Sequence, residues 1–301
     1  MASNTIGGVS LGYIAQQTIE TLVPELPKLK LFANDFSDET PNGASSITSR
    51  VVTQPTSGTD IAAAGGPAAA AQNTTITPVQ ITLGGLKGFA IGFTDEQWAK
   101  SVVNLHDLFI QPGLNSIAGG MIADALACVT IANFSSFQLL AAPAGSDVLA
   151  LKGVLDAAYV PANERFILWD ATRHNSILAD TSIRTAYAFG NPELIQKGEI
   201  PSLFGFGPIS EYVNMPSNNQ HLAGIAAHKS AIALAARAPV VPEKFVGEIE
   251  NVTEPESGLT IQVRRWYSQD LGQYFLGMFG MWGAAAANKS ALVRITSAAQ
   301  S

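Results

Sequence analysis

The sequence contains few residues whose type and spacing could do chemistry. Of its four histidines, His174 has a carboxylate one helical turn before it, that of Asp170. An aspartate and a histidine in that arrangement could bind a metal ion or form an acid–base pair. A helix N-cap at Asp170, or a simple surface pair, explains the spacing equally well. We interpret both residues as structural.

The other candidates also favour a structural interpretation. His106 and Asp107 fall at a predicted helix start, where an aspartate interacts favourably with the helix dipole. Cys128, the single cysteine, excludes an intrachain disulfide and lies beside a predicted apolar helix face, so we expect a buried, unreactive thiol. We find no phosphate-binding GxxxxGK[ST] loop and no HExxH motif. We therefore predict no catalytic, cofactor-binding or metal-binding residue; a metabolic α/β enzyme with catalytic residues from distant positions stays open as an alternative.

Composition and charge exclude further classes of protein. The chain has 301 residues, of which 47% are hydrophobic and only 14% are charged, and this balance excludes a disordered chain. The net charge is −7 and the longest basic cluster is Arg264-Arg265, which argues against tight, sequence-specific binding of nucleic acid but not against loose enclosure. The apolar stretch at residues 274–287 is shorter than the ~20 residues that cross a bilayer. We predict no membrane association.

The N-terminal third contains an arm and an unusual hairpin. Residues 10–22 predict a short amphipathic helix, and residues 29–32 predict an extended segment. Residues 43–92 predict a long two-stranded hairpin, with strands at 46–53 and 75–83. Asp60 is its only charged residue between positions 51 and 86, so the hairpin would be prone to aggregation if it were left bare. We predict that it lies on a neighbouring subunit; a hairpin lying on its own domain is the alternative.

The remaining chain alternates helices and strands, which indicates a mixed α/β layer domain over residues 147–240. The apolar periodicity predicts helices at 94–133 (with Pro112 starting a new helix or kinking the first), 147–159, 172–179 and 228–237. It predicts strands at 165–169, 204–213, 222–227, in a hairpin over 244–270, and at 291–295. We expect Arg264 and Arg265 to lie on opposite faces of their strand, one facing solvent and the other a carboxylate or a neighbour. We interpret the aromatic residues of 266–282 as core or interface.

The order of these segments resembles the major capsid (coat) proteins of tailed bacteriophages, which have the Hong Kong 97-type fold. Residues 14–31 are similar to the family's N-terminal arm, the uncharged hairpin to its extended E-loop, and residues 105–112 with the following helix to its spine helix. The more specific stretches are Val160-Pro161 with 165–168, 204–206 leading to 214–216, 224–235, and 257–263. Together they cover most of the chain.

The resemblance implies an α+β capsid fold and a structural function without enzyme activity. Its parts would be an N-terminal arm (1–42), an E-loop hairpin (43–92), a peripheral domain with the spine helix (93–145), an axial domain (146–240), and a return hairpin with the C-terminal strand (241–301). Hexamers and pentamers would form an icosahedral virion shell around double-stranded DNA, assembled in the host cytoplasm. An encapsulin-like compartment, which shares the fold and encloses a cargo enzyme, is the alternative.

The family also implies partners and contact residues. A portal is one expected partner, and because the arm begins close to Met1 we expect a separate scaffolding protein, or none. Subunit contacts are expected on the hairpin and on the arm, represented by Ile61, Pro67 and Val79 and by Ile14, Ile19 and Leu31. The spine residues Leu114, Ile117 and Met121 are expected in the core instead.

Some members of this family cross-link covalently through a lysine on the E-loop, and this chain has no lysine between Lys30 and Lys87. We therefore predict that assembled particles dissociate into single chains on denaturing electrophoresis. A ladder of covalent oligomers would contradict this prediction.

Overall fold

The fold is seen in a computed structural model that describes residues 26–35, 46–52, 61, 63, 65, 76–100, 105–190, 200, 202–241, 244–253 and 258–299. The helix predicted over residues 10–22, with Ile14 and Ile19, lies outside the described residues, as does Pro67.

Strands dominate the described residues. In chain order they are β1 (Ala33–Asp35), β2 (Ser46–Val52), β3 (Ile76–Thr82), β4 (Lys87–Thr94), β5 (Phe137–Leu139), β6 (Arg165–Trp169), β7 (Ile209–Glu211), β8 (Leu222–His228), β9 (Ile232–Arg237), β10 (Glu248–Thr253), β11 (Thr260–Ser268), β12 (Gln273–Ala286) and β13 (Leu292–Thr296). The α-helices are α1 (Asp95–Lys100), α2 (Leu105–Ala127), α3 (Gly145–Ala157), α4 (Ala171–Ala179) and α5 (Thr181–Gly190). Short 3₁₀ helices are η1 (Leu26–Leu31), η2 (Lys229–Ala231) and η3 (Lys289–Ala291).

The largest sheet is organised around β12. Its order is β1-β9-β12-β11-β10, with β4 also paired to β12. The first part of β12 pairs with both β4 and β11, and its last six residues pair with β9. Helix α2 packs on this strand so closely that a Cβ atom at Gly113 would lie 2.3 Å from Met278 Sδ. Pro112 lies inside α2, at the position where the sequence predicts a kink or a new start.

A second sheet of five strands has the order β5-β13-β8-β6-β7. Every residue of its inner strands β6 and β8 is buried, which is why both are apolar apart from one end residue each, Arg165 and His228, and do not alternate. Its core is continuous with that of the larger sheet, because residues such as Ile225 and Ile295 belong to the same buried cluster as Leu276 and Met121. The strands β2 and β3 form a separate two-stranded sheet.

The structure confirms the mixed α+β architecture and most of the predicted elements, including the hairpins β2–β3 and β10–β11. The helix predicted over residues 228–237 is wrong, since this segment forms η2 and β9. Its alanines favour a helix by intrinsic propensity, but that preference is only a few tenths of a kcal/mol per residue. Strand β9 gains backbone hydrogen bonds from β1 on one side and β12 on the other, and all six of its residues are buried.

Two smaller differences have local causes. Residues 29–32 are not extended, because residues up to Leu31 continue η1, whose Leu29 is buried. The strand predicted over 204–213 is restricted to β7, since a tight turn occupies residues 203–206. Helix α5 and strand β12, the centre of the larger sheet, have no predicted counterpart.

We predict that Met121→Ala lowers the free energy of unfolding by about 2–5 kcal/mol, because Met121 is fully buried on α2, which packs against β12 and β9 of the larger sheet. The matched control is Leu149→Ala on the exposed face of α3, which should change stability by less than about 0.5 kcal/mol. Chemical denaturation of both variants measures the difference, and equal losses would show that α2 is not central to the core.

Candidate assembly surface

The residues that could do chemistry have structural roles. Asp170 is the N-cap of α4: its carboxylate accepts a hydrogen bond from the backbone N–H of Arg173 (2.9 Å) and pairs with the same residue's guanidinium (2.8 Å). His174 is buried, and its Nδ1 atom lies 3.3 Å from the indole nitrogen of Trp169. Both placements agree with the structural interpretation.

Cys128 lies at the end of α2 in a setting that keeps its sulfur protonated. Burial raises the pKa of the Cys128 thiol, and the nearby Asp124 carboxylate raises it further. Because the thiolate is the reactive form, this cysteine is a poor nucleophile. Residues 8–12 also have the GxSxG spacing of some hydrolases, but they lie outside the described residues.

No metal or membrane site is found in the part of the chain that the structure describes. Within it, no three His, Cys, Asp or Glu side chains cluster as a metal site would require. The described helices also include none that is long and apolar enough to cross a membrane.

The two consecutive arginines differ from the expectation. Arg265 reaches the carboxylates of Glu248 and Glu250 at 3.7 and 3.8 Å, as expected for one of the pair. Arg264 does not face solvent: it is buried between the rings of Phe245 and Phe279, and its Nε atom donates to Gln262. Burial lowers the pKa of its guanidinium. The longest basic cluster of the sequence is therefore occupied by contacts within the chain.

The hairpin β2–β3 is fixed to the larger sheet at its root. Ile81 and Leu83 are buried against the alanines of β9, Ala233 and Ala235. The backbone of β3 approaches β12 so closely that a Cβ atom at Gly283 would lie 2.0 Å from the carbonyl oxygen of Thr82. Just after β3, the backbone N–H of Gly84 donates a hydrogen bond to the carbonyl of Trp282 in β12 at 3.0 Å. Glycine at position 283 is thus what lets the hairpin lie flat on the strand.

A polar cluster below this root connects three elements. Lys87, at the start of β4, forms an ion pair with Asp124 of α2. The same carboxylate oxygen accepts a hydrogen bond from the indole N–H of Trp282 at 2.8 Å, and the ammonium group of Lys87 lies 5.1 Å from the centre of that ring. The chain leaving the hairpin is thereby tied to both α2 and β12.

Comparison with solved structures identifies the architecture. The described fold is similar to the head structure of Helicobacter pylori bacteriophage KHP40 (TM-score 0.60, 12% identity, 98% of this chain and 96% of that one). It is also similar to the capsid of cyanophage P-SCSP1u (TM-score 0.60, 12% identity, 90% and 88%) and to the capsid of the native GTA particle (TM-score 0.57, 15% identity, 99% and 100%). No family model matches the sequence, and no curated protein matches it. The chain has a phage capsid protein fold.

This capsid fold confirms the fold class that the resemblance implied. The contact residues proposed from sequence have different surroundings in it. Ile61 is 51% exposed and Val79 is partly buried, whereas Leu31 belongs to the buried core of its own chain and retains only 9% of its surface. Ile117 and Met121 are buried, as expected. The root of the hairpin is therefore covered within the subunit, while Ile61, Ile76 and the strand residues near Ile76 are exposed.

We predict that Gly283→Ala displaces the hairpin, because the added methyl group would meet the Thr82 carbonyl. The same substitution at Gly153, on the open face of α3, meets no atom within 4 Å and should stabilise the chain by about 0.5–1 kcal/mol. Limited proteolysis should cut the Gly283→Ala variant faster within residues 46–86 and leave Gly153→Ala unchanged. If the two variants behave alike, the close approach does not hold the hairpin.

Proposed function

We propose that the protein is the major capsid protein of a tailed bacteriophage, which assembles as hexamers and pentamers into an icosahedral shell around double-stranded DNA. The observation that carries this proposal is the capsid fold, shared over 90–99% of the chain with the three solved shells. In this assignment the protein resides in the virion, is assembled in the host cytoplasm, and has no enzyme activity. A portal, and a scaffolding protein where one is used, are its partners.

The hairpin supports the proposal through its combination of a fixed root and an exposed outer part. A two-stranded ribbon is only marginally stable in water by itself. Here Ile81 and Leu83 anchor it, while Ile61 and Ile76 remain exposed beyond the anchor. An almost uncharged projection of this kind is covered when a neighbouring copy packs on it. We assign the hairpin to the E-loop (43–92) and the preceding residues to the N-terminal arm (1–42).

The sheets suggest how the other segments are used. We assign α2 to the spine helix of the peripheral segment (93–145), beside the six-stranded sheet. The axial segment (146–240) supplies β6, β7 and β8 of the five-stranded sheet, which β5 and β13 complete from outside it. Strand β9 also falls in that segment but pairs in the six-stranded sheet. The return hairpin and C-terminal strand (241–301) supply β10 to β13, so both sheets combine distant parts of the chain.

The charge distribution supports loose enclosure of DNA rather than specific binding. The net charge is −7, and phosphate binding depends on available cationic side chains. Arg294 is fully buried and donates to the carbonyl of Phe134, and Arg264 and Arg265 are engaged as described above. A wall of this composition allows packaged DNA to leave again.

The proposal is tested by expressing the full chain and examining it by electron microscopy and light scattering. Large closed particles are expected, and nuclease-protected DNA inside particles from an infected or induced host distinguishes a virion shell from an encapsulin-like compartment. A monomer or small oligomer under all assembly conditions would contradict the proposal and favour the enzyme alternative.

We predict that deletion of residues 57–72 abolishes shell formation and leaves folded subunits, because the root at Ile81, Leu83 and Gly283 lies outside the deleted segment. Thermal unfolding and light scattering of the deleted and full-length chains measure folding and assembly separately. Normal particles from the deleted chain would contradict an intersubunit role for the hairpin.

A further inference from the structure

Arg264 is a buried cation that has no ion pair among the residues that the structure describes. It retains only 8% of its surface, and burial lowers the pKa of its guanidinium. The next residue, Arg265, lies on the opposite face of β11 and reaches the carboxylates of Glu248 and Glu250. A buried charge without a counter-charge is costly for an isolated subunit, so the surroundings of Arg264 indicate a function.

The contacts of Arg264 hold its guanidinium in place but leave the outer edge open. Its Nε atom donates to the side-chain oxygen of Gln262 at 2.7 Å, and the buried Gln262 in turn donates to the carbonyl of Pro239 at 3.1 Å. The ring centres of Phe245 and Phe279 lie 5.7 and 5.1 Å from its Cζ atom. The terminal nitrogens have no hydrogen-bond partner among the described residues and are not sealed from solvent. Their N–H groups are therefore available to an acceptor from outside.

Arg264 belongs to a cluster of aromatic rings that are themselves only half-buried. Trp266 stacks on Phe275, with ring centres 5.2 Å apart and an angle of 10° between the planes. The ring of Trp266 also contacts Phe245 edge-on at 6.2 Å and Phe279 at 6.5 Å. We call Arg264 and these four rings the arginine–aromatic cluster. It is an apolar patch with a single cationic group inside it.

The arginine–aromatic cluster lies on the face of the larger sheet that points away from α2. Side chains alternate between the two faces of a strand, and Met278 of β12 points towards α2. Phe279 and Gly283 therefore share the other face, where the hairpin root covers Gly283. Beside the cluster this face is open, because Ala90 of β4, the neighbour of Gly277, is exposed. A second molecule can therefore approach the cluster.

We propose that the arginine–aromatic cluster is an interface site that receives an acidic side chain of a neighbouring copy, whose carboxylate pairs with the terminal nitrogens of Arg264. The inference rests on the proposed shell function and specifies one of its contacts. A carboxylate can accept parallel hydrogen bonds from the edge of a guanidinium. Arginine and tryptophan, surrounded by apolar contacts that exclude water, are also typical of the residues that dominate protein interfaces.

Charge and shape favour a neighbouring copy over packaged DNA as the source of the anion. Each copy has 24 acidic residues against 17 basic ones, so acidic side chains are in excess on its neighbours. Duplex DNA is held through several phosphates by available cationic side chains. Here the rings of Phe245 and Phe279 cover the guanidinium of Arg264, and a protruding side chain reaches its edge more readily than a phosphate of a duplex.

The test compares two variants that lose the same hydrogen bond within the chain. Arg264→Met and Gln262→Met both remove the bond between Nε and the amide oxygen, and both should lower the unfolding temperature of the isolated chain. Only Arg264→Met also removes the charge, so it alone should reduce the yield of particles at least tenfold. Gln262→Met is the matched control and should assemble normally. Arg264→Lys, which keeps the charge without the paired donors, should give an intermediate yield.

The outcomes separate this contact from the shell function. Normal particles from Arg264→Met, while the wild-type chain also assembles, would overturn the contact alone. Absence of particles from the wild-type chain would overturn the shell function and the contact together. Equal loss of assembly in Arg264→Met and Gln262→Met would mean that the arginine acts only through packing in its own chain. Normal Arg264→Met shells with less nuclease-protected DNA would assign the anion to DNA. Both of these results also overturn the proposal.

A second measurement locates the contact directly and decides the case if Arg264→Met does not fold. Electron cryomicroscopy of assembled wild-type particles should show an aspartate or glutamate carboxylate of another copy within about 4 Å of the terminal nitrogens of Arg264. Solvent, a phosphate group or a carboxylate of the same chain at this position would contradict the proposal.

Discussion

The hairpin β2–β3 is held against the larger sheet at its root by the close contact of Thr82 with Gly283. The carbonyl of Thr82 occupies the space that any larger residue at position 283 would need. The alanines of β9 act together with this glycine, because small side chains allow Ile81 and Leu83 to lie close to the sheet. The position of the hairpin root is thus determined by the small residues of β9 and β12 that it contacts.

Strand β12 transmits that constraint to the rest of the subunit. It contacts the hairpin root near Gly283, pairs with β4, β9 and β11, and packs against α2. Asp124 of α2 contacts both Lys87 and Trp282 just below the root. A displacement of the hairpin would therefore disturb contacts of both α2 and the larger sheet. Under the proposed shell function, this coupling would let contacts made by the hairpin hold the body of the subunit in place.

Sequence patterns predicted those parts of the fold whose residues carry their own periodic signal. The alternation of apolar and polar residues in β3 and β11 and the apolar run of β6 were sufficient to predict these strands, because burial on one or both faces of a sheet produces such patterns. The helix prediction for residues 228–237 was wrong because an alanine-rich run is compatible with either a helix or a buried strand. Pairing with the neighbouring strands β1 and β12 determines which of the two forms. Leu31 was assigned to an exposed arm, since sequence does not reveal that η1 packs on α2. The Lys87–Asp124–Trp282 cluster joins residues far apart in the chain and has no local signal.

Under the proposed shell function, the uncharged hairpin is a feature that is unfavourable in water for an isolated subunit, and a neighbouring copy removes the disadvantage by covering it. The free energy released on assembly then includes the burial of apolar surface that the monomer could not bury itself. Each such contact can be weak, because closure of a ring or a shell makes the contacts simultaneous. Weak individual contacts also let a wrongly placed copy dissociate before its neighbours enclose it.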